Sequence, residues 1–580
     1  MGKLKYRLIG NNDYNNVKTT ILTNRGVKNI NEYLNLNKKV LNNHELLDGI
    51  ADGIKLIKWA IDNNLTIYIV VDCDVDGYSS ASRIYTYIKN HLKYDNIIYL
   101  LHTGKQHGLT KDILSQINVN NVGLIISPDG GTNDADECYI LSELGFKVLV
   151  IDHHEKEKEN QYATIINNQI CAYPNKNLCG MGVVNKFIEA CDDEFWTYAS
   201  DEYLDINALA NISDSMDLRE CETKYIVNEG LKFIEHPLLK AILQKQSFSV
   251  RDVEHPTITE ISFYVTPLLN AIARMGKQEE KDLMFKAFAK EYEEFTYVPR
   301  KSKNNPSPTE TIETIYERVA RIGTNVRAKQ NKIRDNSLKE VVKLFDKQNK
   351  ENSICFINAT KLSDDVKELS GLIAIKVADM YNKPCLVLKK DKLKSNGSNI
   401  LYSGSVRNVN DGLIDDLKEE LRKSRLFDYL IGHANAFGAT IKKENIPIAI
   451  DFFNKKLNKP NLKKVDFVLE NEINYKIIKD IYSMNSIFSS FVKEPVIVIK
   501  NIKVDMLGFE LNENEKTHKK RFTFSNGVVE FIKFNVTDDD ELSNSFEDIN
   551  TINVIGKATI NTYGGKSKPQ FIIEDYELIE

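Results

Sequence analysis

The chain has 580 residues, of which 42% are hydrophobic and 27% charged, and 77 basic against 82 acidic side chains give a net charge of −5. This composition indicates a folded globular protein of several domains and excludes collagen-like, coiled-coil and disordered chains. No apolar run approaches the ~18 residues of a membrane span, and the start MGKLKYRLIGNND lacks a signal peptide's apolar segment. Eight cysteines without a CxxC spacing indicate reduced thiols, so we expect a cytoplasmic protein with no membrane partner.

The segment from residue 67 to residue 152 alternates between short apolar strands and helices, after a polar and helical start over residues 1–60. The predicted strands are 67–72, 96–101, 122–127 and 147–152, and the predicted helices are 77–92 and 134–145. Continuous apolar strands separated by helices are typical of a parallel, doubly wound sheet.

The remainder of the chain divides at two polar stretches, 299–308 and 458–464. Between them we predict a long basic helix over 309–348, either single or split near Gly323 and with Thr309 as N-cap, and then a second α/β unit. Beyond them, alternating strands with glycine turns predict a small β-barrel. Four domains are predicted: an α/β domain with an N-terminal helical extension (1–298), a linker with the long helix (299–350), a smaller α/β domain (351–462) and the barrel (463–580).

Charge differs between these parts. Residues 1–295 hold 31 basic and 42 acidic side chains (net −11), residues 296–350 hold 13 and 6 (net +7), residues 351–464 hold 20 and 14 (net +6), and residues 465–580 hold 13 and 20 (net −7). A basic middle favours a polyanionic partner, although solvated lysine-rich helices would give the same pattern.

Carboxylates follow the first predicted strand. Asp72, Asp74 and Asp76 lie within five residues, and their mutual repulsion is costly unless a cation neutralises them. The spacing also matches the start of a calcium-binding loop, but that loop needs a glutamate where this chain has Arg83. The carboxyl ends of parallel strands are the usual ligand edge of such a sheet, so we expect a metal site there.

Two further strands end in the same way, at Asp129 and at Asp152-His153-His154, and Asp214 follows a later apolar stretch. Mixed oxygen and nitrogen donors favour Mn²⁺, with Mg²⁺ or Zn²⁺ as alternatives. A single aspartate at a strand end is usually a helix cap, so the hypothesis depends on the whole ordered set.

This ordered set, DxDxDG, an aspartate strand end, DHH and a fourth aspartate, resembles the DHH phosphoesterase superfamily, and its closest resemblance is to the RecJ single-strand-specific exonucleases. The resemblance covers about residues 65–580. Its further segments are CAYPNKNLCGMGVVNKF (171–187), FYVTPLLNAIARMG (263–276), ELSGLIAIKVADMYNKPCLVL (368–388), YSGSVRNVN (402–410), LIGHANAFGATI (430–441) and GKATINTYGGKSKPQFIIEDYEL (556–578). It implies a DHH domain, a DHHA1 domain at 351–462 and an OB-type barrel.

The resemblance also implies roles for individual residues. Seven side chains would hold two Mn²⁺ ions, with Mg²⁺ as an alternative: Asp72, Asp74, Asp76, Asp129, His153, His154 and Asp214. Asp129 would bridge the two ions. Asp152 would orient a neighbouring histidine. The expected phosphate- and strand-binding residues are Asn270, Arg274, Ser405, Arg407, Gly432 and His433, with Ser405 and Arg407 at the 5′-phosphate and Gly432-His433 at the scissile phosphate.

Two departures from the family pattern stand out. Ala273 stands where the family usually has glycine, and the sequence leaves the effect of this change open. The loop HTGKQHGL (102–109) lacks the basic residue expected in its first half, and Lys105 or His107 would substitute for it. Within the barrel, the candidate base-stacking residues are Phe522, Phe524, Phe531, Phe534 and Tyr563, although alternating aromatics in strands usually belong to the core.

The implied function is a metal-dependent 5′→3′ exonuclease of single-stranded DNA in repair or recombination, acting as a monomer. Single-strand-binding protein or a helicase is the expected protein partner. Two alternatives remain open: a DHH phosphodiesterase of short oligonucleotides or cyclic dinucleotides, and a non-catalytic replication scaffold of the same fold. The absence of a GxGxxG motif after a strand excludes a dinucleotide-dependent oxidoreductase.

Overall fold

A computed structural model describes most of the chain. The described residues are 4–301, 306–345, 351–391, 395–396, 399–409, 414, 416–457, 462–503, 510–513, 520–537, 540–544, 551–563 and 566–579. For six residues within these ranges only the backbone is described: His433, Ser543, Asn544, Thr562, Tyr563 and Lys566. The chain divides into two compact units, one of residues 10–327, 469–574 and 579–580, the other of residues 1–9, 328–468 and 575–578.

The elements up to residue 297 are mostly helical. The strands are β1 (Tyr6–Leu8), β2 (Ile67–Val71), β3 (Ile97–Leu101), β4 (Leu124–Pro128), β5 (Lys147–Asp152), β6 (Thr164–Asn167) and β7 (Glu294–Tyr297). The helices are α1 (Val17–Asn24), α2 (Ile30–Leu34), α3 (Ile50–Asp62), α4 (Val75–Thr86), α5 (Lys111–Gln116), α6 (Ala135–Glu143), α7 (Gly180–Phe195), α8 (Leu204–Ser213), α9 (Cys221–Lys232), α10 (Pro237–Lys245), α11 (Ile258–Glu260), α12 (Thr266–Met275) and α13 (Gln278–Phe288).

The elements after residue 297 alternate between strands and helices and then become mainly strands. The strands are β8 (Thr311–Thr314), β9 (Cys355–Asn358), β10 (Cys385–Lys390), β11 (Leu401–Arg407), β12 (Phe427–His433), β13 (Ala436–Lys442), β14 (Lys463–Val465), β15 (Phe467–Glu470), β16 (Ile497–Lys503), β17 (Glu510–Glu513), β18 (Lys520–Ser525), β19 (Glu530–Val536), β20 (Thr551–Tyr563) and β21 (Lys566–Ile579). The helices are α14 (Ile315–Phe345), α15 (Asp364–Glu368), α16 (Ser370–Tyr381), α17 (Leu417–Ser424), α18 (Asn445–Lys456), α19 (Tyr475–Tyr482) and α20 (Glu541–Asn544).

The first sheet positions the candidate site. Its strand order is β3-β2-β4-β5-β6, and each neighbouring pair is parallel. Strands β2 and β4 are buried along their whole length, which explains their continuous apolar sequences. Helices α3, α4 and α7 contribute buried side chains to the core on this sheet. The prediction of a parallel α/β sheet is thus confirmed.

The predicted helix over 309–348 differs from the structure at its start. Residues Thr311–Thr314 form strand β8, antiparallel to β7, and α14 then runs unbroken through Gly323. The predicted N-cap, Thr309, is therefore wrong. Thr314 takes this role, because Glu317 N–H donates to Thr314 Oγ1 at 3.3 Å and Glu317 Oε2 accepts from Thr314 N–H at 2.8 Å.

The second and third sheets belong to the later parts of the chain. The strand order β12-β13-β11-β10-β9 is antiparallel except for the parallel pair β9–β10, which is the α/β unit expected after α14. The C-terminal sheet has the order β15-β16-β20-β21-β19-β18-β17. The N-terminal strand β1, which the sequence did not predict, pairs in parallel with β14.

The aromatic side chains of β18 and β19 mostly belong to the core. Phe522, Phe524 and Phe531 are at most 1% exposed, and the rings of Phe524 and Phe531 stack at 4.6 Å between centroids. Their prediction as base-stacking residues is therefore wrong, because their faces of the strands point inward. Phe534 is 49% exposed and stays a prediction, and the side chain of Tyr563 lies outside the described residues.

Candidate metal centre

Three predicted carboxylates lie at the carboxyl edge of the first sheet. Asp72 directly follows β2, Asp129 directly follows β4, and Asp152 ends β5. Because these neighbouring strands are parallel, their carboxyl ends meet at one edge. All three residues are buried. Each is the first polar side chain after an apolar strand, so the strand pattern brings them together.

His153 connects this edge to carboxylates from two helices. Its Nε2 lies 3.2 Å from Asp129 Oδ1, 3.5 Å from Asp214 Oδ2 and 3.9 Å from Asp76 Oδ2. Asp214 lies at the C-terminal end of α8, and Asp76 lies in the first turn of α4. One imidazole thus faces three carboxylates, a donor set that could hold a divalent ion.

The N-terminus of α7 holds Asp76 in place. Gly180 N–H donates to Asp76 Oδ2 at 2.6 Å, and Met181 N–H donates to Asp76 Oδ1 at 2.8 Å. Only glycine fits at position 180, because a Cβ there would lie 2.5 Å from Asp129 Oδ1. The positive end of the helix dipole therefore faces the carboxylates and allows their close approach.

Asp129 has a strained backbone and a buried carboxylate oxygen without a hydrogen bond among the described residues. Its φ of 65° is in the left-handed region, and its buried Oδ1 has no hydrogen-bond partner within the described part of the chain. Burial, with Asp76 and Asp74 nearby, raises the pKa of Asp129 well above its usual range; burial and Asp214 raise the pKa of Asp76 to about 7. Because a cation would relieve this repulsion, the residues present fit a bound divalent metal ion.

Asp152 orients the histidine pair. Its Oδ1 accepts hydrogen bonds from the backbone N–H groups of His153 at 2.7 Å and His154 at 3.1 Å, and lies 2.7 Å from His154 Nδ1. Its Oδ2 accepts from Thr132 N–H at 3.1 Å. Burial would raise the pKa of Asp152, but His154 and the other donors lower it below its ordinary value. Asp152 is thus placed to fix a neighbouring ligand.

A second group adds a histidine that sequence reasoning did not count as a ligand. His107 Nδ1 lies 2.7 Å from Asp72 Oδ2, and the donor atoms of Asp72, Asp74 and His107 all lie within 4.8 Å of one another. The sequence suggested His107 only as a substitute for a basic residue. The loop that contains His107 has two histidines, but the amino-acid sequence does not show which carboxylate their side chains contact.

Helix α12 places two predicted strand-binding residues beside the DxDxDG turn. Asn270 Oδ1 accepts a hydrogen bond from Val75 N–H at 3.3 Å, and the guanidinium of Arg274 lies 4.0 Å from Asp74 Oδ2. Ala273 is buried, and its carbonyl accepts a hydrogen bond from the Cys73 thiol at 3.0 Å. Arg274 is therefore near the carboxylates, whereas Asn270 holds the backbone of the turn.

The predicted 5′-phosphate residues lie at the N-terminus of α16. Ser405 Oγ lies 2.9 Å from Ser370 Oγ, and a Cβ at Gly371 would lie 2.7 Å from Arg407 Nη2. Helix N–H groups, hydroxyls and a guanidinium are suitable donors for a phosphate. Sequence reasoning missed Ser370 and Gly371, although both lie in a segment that it had singled out.

The last two predicted residues lie at the end of β12. Gly432 has φ 118°, a conformation that favours glycine, and its carbonyl accepts a hydrogen bond from Lys418 Nζ at 2.6 Å. The side chain of His433 lies outside the described residues. The roles of both residues stay predictions.

Comparison with known proteins identifies the family. Family models match residues 66–211 (DHH family, N-terminal domain) and residues 437–575 (RecJ OB domain). A relative, YorK of Bacillus subtilis (strain 168), is 36% identical over 587 residues, which cover 99% of this chain and 98% of YorK. The chain belongs to the RecJ family of DHH proteins. The RecJ of Bacillus subtilis (strain 168) is named a single-stranded-DNA-specific exonuclease. It is 23% identical to this RecJ-family chain, and the match covers 92% of this chain and 64% of that RecJ.

A solved structure confirms the fold class. The RecJ of Thermus thermophilus in complex with Mn²⁺ aligns with a TM-score of 0.69 and 15% identity, covering 100% of this chain and 79% of that one. The RecJ-family chain thus has a parallel-sheet DHH domain, a connecting helix, a smaller α/β domain and an OB-type β-domain. The exact domain boundaries stay predictions. Among the described residues, every helix is too short or too polar to cross a bilayer.

Proposed function

We propose that this RecJ-family chain is a single-stranded-DNA-specific 5′→3′ exonuclease that releases 5′-mononucleotides, with a role in DNA repair or recombination. The observation that carries the proposal is the cluster in which buried His153 faces buried Asp76 and Asp129 and partly buried Asp214. Such donors suit the divalent ions of phosphodiester hydrolysis. The names of the relatives support the substrate, since RecJ is called a single-stranded-DNA-specific exonuclease and YorK a candidate one.

The carboxylates and imidazoles would divide into two ion-binding sets. Asp76, Asp214 and His153 would hold one ion and Asp72 and Asp74 the other, with Asp129 as the bridge and His154 as a further ligand. The preferred ion is Mn²⁺, with Mg²⁺ as the alternative. When bound, two such ions supply an activated water and Lewis-acid stabilisation of charge on the scissile phosphate.

The chain's own residues would bind and orient the DNA. His433, next to Gly432, would donate a hydrogen bond to the scissile phosphate. Arg274, beside Asp74, would contact the neighbouring phosphate backbone. The N-terminus of α16, with Ser405 and Arg407, would bind the 5′-phosphate, and this requirement for a free 5′ end would set the polarity.

The C-terminal β-domain would have a different partner. Residues 465–580 carry a net charge of −7, which disfavours electrostatic binding of DNA. We propose that this domain contacts a protein, single-strand-binding protein or a helicase, and that the chain acts as a cytoplasmic monomer.

Product analysis tests the activity. With Mn²⁺, a long 5′-phosphorylated single strand should yield 5′-mononucleotides, while a blunt duplex of the same sequence should stay intact. Preference for a dinucleotide or a cyclic dinucleotide would instead support the short-substrate phosphodiesterase.

A pair of variants tests the site. Asp129→Asn should abolish cleavage without unfolding the protein, whereas Asp136→Asn, which changes an exposed carboxylate on α6, should leave cleavage unchanged. Full activity of Asp129→Asn would refute the site. Absence of turnover in the unmodified protein, with every reagent active on a control nuclease, would support the scaffold alternative.

A further inference from the structure

The loop between β3 and α5 brings two imidazoles to one carboxylate. His107 Nδ1 lies 2.7 Å from Asp72 Oδ2, and His102 Nε2 lies 3.9 Å from Asp72 Oδ1. Asp74 completes the group, because its donor atom lies within 4.8 Å of those of Asp72 and His107. One imidazole and two carboxylates thus lie together at the sheet edge, and the imidazole of His102 lies next to them, 3.9 Å from Asp72.

His102 is a buried side chain whose ring nitrogens make no hydrogen bond to any residue that the structure describes. The residue is 2% exposed, and neither ring nitrogen has a hydrogen-bond partner within the part of the chain that the structure describes. Leaving a buried polar group unsatisfied is costly, and such groups in native proteins usually accompany a bound ion, water or functional role. His102 Nε2 lies 3.9 Å from Asp72 Oδ1, so one of the two ring nitrogens without a hydrogen bond is near the carboxylate.

The loop is fixed firmly enough to present these rings. The buried ammonium of Lys281 on α13 donates to the carbonyls of His102 at 2.9 Å, Gly104 at 3.3 Å and Thr103 at 3.4 Å. At the other end of the loop, Gly108 N–H donates to Asp72 Oδ1 at 3.0 Å. The buried lysine thus holds three successive carbonyls of the loop, which preorganises the site.

We propose that His102 and His107 ligate a divalent transition-metal ion together with Asp72 and Asp74, giving one metal position an imidazole-rich donor set that discriminates against Mg²⁺. The inference rests on the proposed function, because the ion would be one of the pair used in cleavage. Mg²⁺ prefers oxygen ligands and retained waters, whereas imidazole favours transition metals. The consequence is a metal preference that is set by a loop rather than by the DxDxDG motif alone.

Metal binding to the full chain without DNA tests this assignment. The free Mn²⁺ signal in electron paramagnetic resonance counts bound ions, and competition by Mg²⁺ gives the Mg²⁺ affinity. The side chain of His107 is 54% exposed, so His107→Gln should fold normally, and His102→Gln provides the second variant. His255→Gln is the matched control, because His255 is also exposed and lies 3.2 Å from the carboxylate of Asp252.

We expect each loop variant to weaken Mn²⁺ binding at one of two positions by more than about tenfold, with the other position and the Mg²⁺ affinity little changed. His255→Gln should bind as the unmodified protein does. Unchanged Mn²⁺ binding by His107→Gln, or equal losses of Mn²⁺ and Mg²⁺, would overturn the assignment. If the unmodified protein cleaves single strands and His107→Gln binds Mn²⁺ unchanged, this metal site is refuted but the exonuclease is not. If the variants show the expected losses of Mn²⁺ binding but the unmodified protein cleaves no DNA, the exonuclease is refuted but this metal site is not.

Discussion

Replacing Gly180 with alanine tests how α7 packs against the metal centre. A Cβ at this position would lie 2.5 Å from Asp129 Oδ1 and 2.6 Å from Asp129 Cβ. Ordinary contact begins at 3.4 Å, so the Asp129 carboxylate or the helix must move by 3.4 − 2.5 = 0.9 Å. Asp76 would move as well, since Gly180 N–H donates to it.

The magnitude follows from two opposing effects. Alanine in place of glycine favours a helix by about 1 kcal/mol, whereas overpacking a buried site costs about 1–3 kcal/mol. The net loss of stability should therefore be about 0–2 kcal/mol. A displacement near 1 Å in a catalytic constellation costs about a hundredfold in rate, so activity should fall far more than stability.

The assay compares Gly180→Ala with Gly182→Ala in single-strand cleavage at saturating Mn²⁺ and in thermal unfolding. Gly182 is the matched control, because the three atoms nearest to a Cβ there all belong to the Leu178 side chain, at 3.2 to 3.7 Å. We expect about a hundredfold slower cleavage for Gly180→Ala and a rate near that of the unmodified protein for Gly182→Ala. Equal rates for the two variants would refute the packing of Asp129 against α7.

Three further perturbations have defined outcomes. Asp152→Asn should lower Mn²⁺ affinity about 10- to 100-fold in calorimetry, because His154 loses its charged acceptor; an unchanged affinity would contradict the positioning role. The metal-free protein should lose stability as pH rises from about 4 to about 7, because the folded-state pKa of Asp76 is raised to about 7. Mn²⁺ should therefore increase the unfolding temperature more at about pH 8 than at about pH 5. Equal increases at the two pH values would argue against the cluster. In urea denaturation, Phe531→Ala should cost about 3–5 kcal/mol and Phe534→Ala less than about 1 kcal/mol, because the first ring is buried and the second is 49% exposed; similar losses would contradict the core assignment.

The first sheet and its carboxylates were predictable because their signal is local. The runs at β2, β4 and β5 are apolar and rich in β-branched residues, and each is followed at once by a polar side chain. Parallel packing then forces those side chains to one edge, without any need to know the helices. Asp214, from α8, was placed only through the ordered motif set.

Other features depend on partners that are distant in sequence. Strand β1 is three residues long and exists through pairing with β14, and β8 exists through pairing with β7. His102 is directed to Asp72 because Lys281, far along the chain, holds its loop. For the aromatics of β18 and β19, alternation gives two faces but does not show which one faces the core.

The central claim is that Asp76, Asp129, Asp214 and His153 bind divalent ions. Anomalous X-ray scattering from crystals grown with Mn²⁺ tests it most directly, since it locates manganese independently of activity. We predict a manganese peak within bonding distance of Asp129 and His153. Manganese bound only at exposed carboxylates, with these four side chains hydrogen-bonded to one another or to water, would contradict the account.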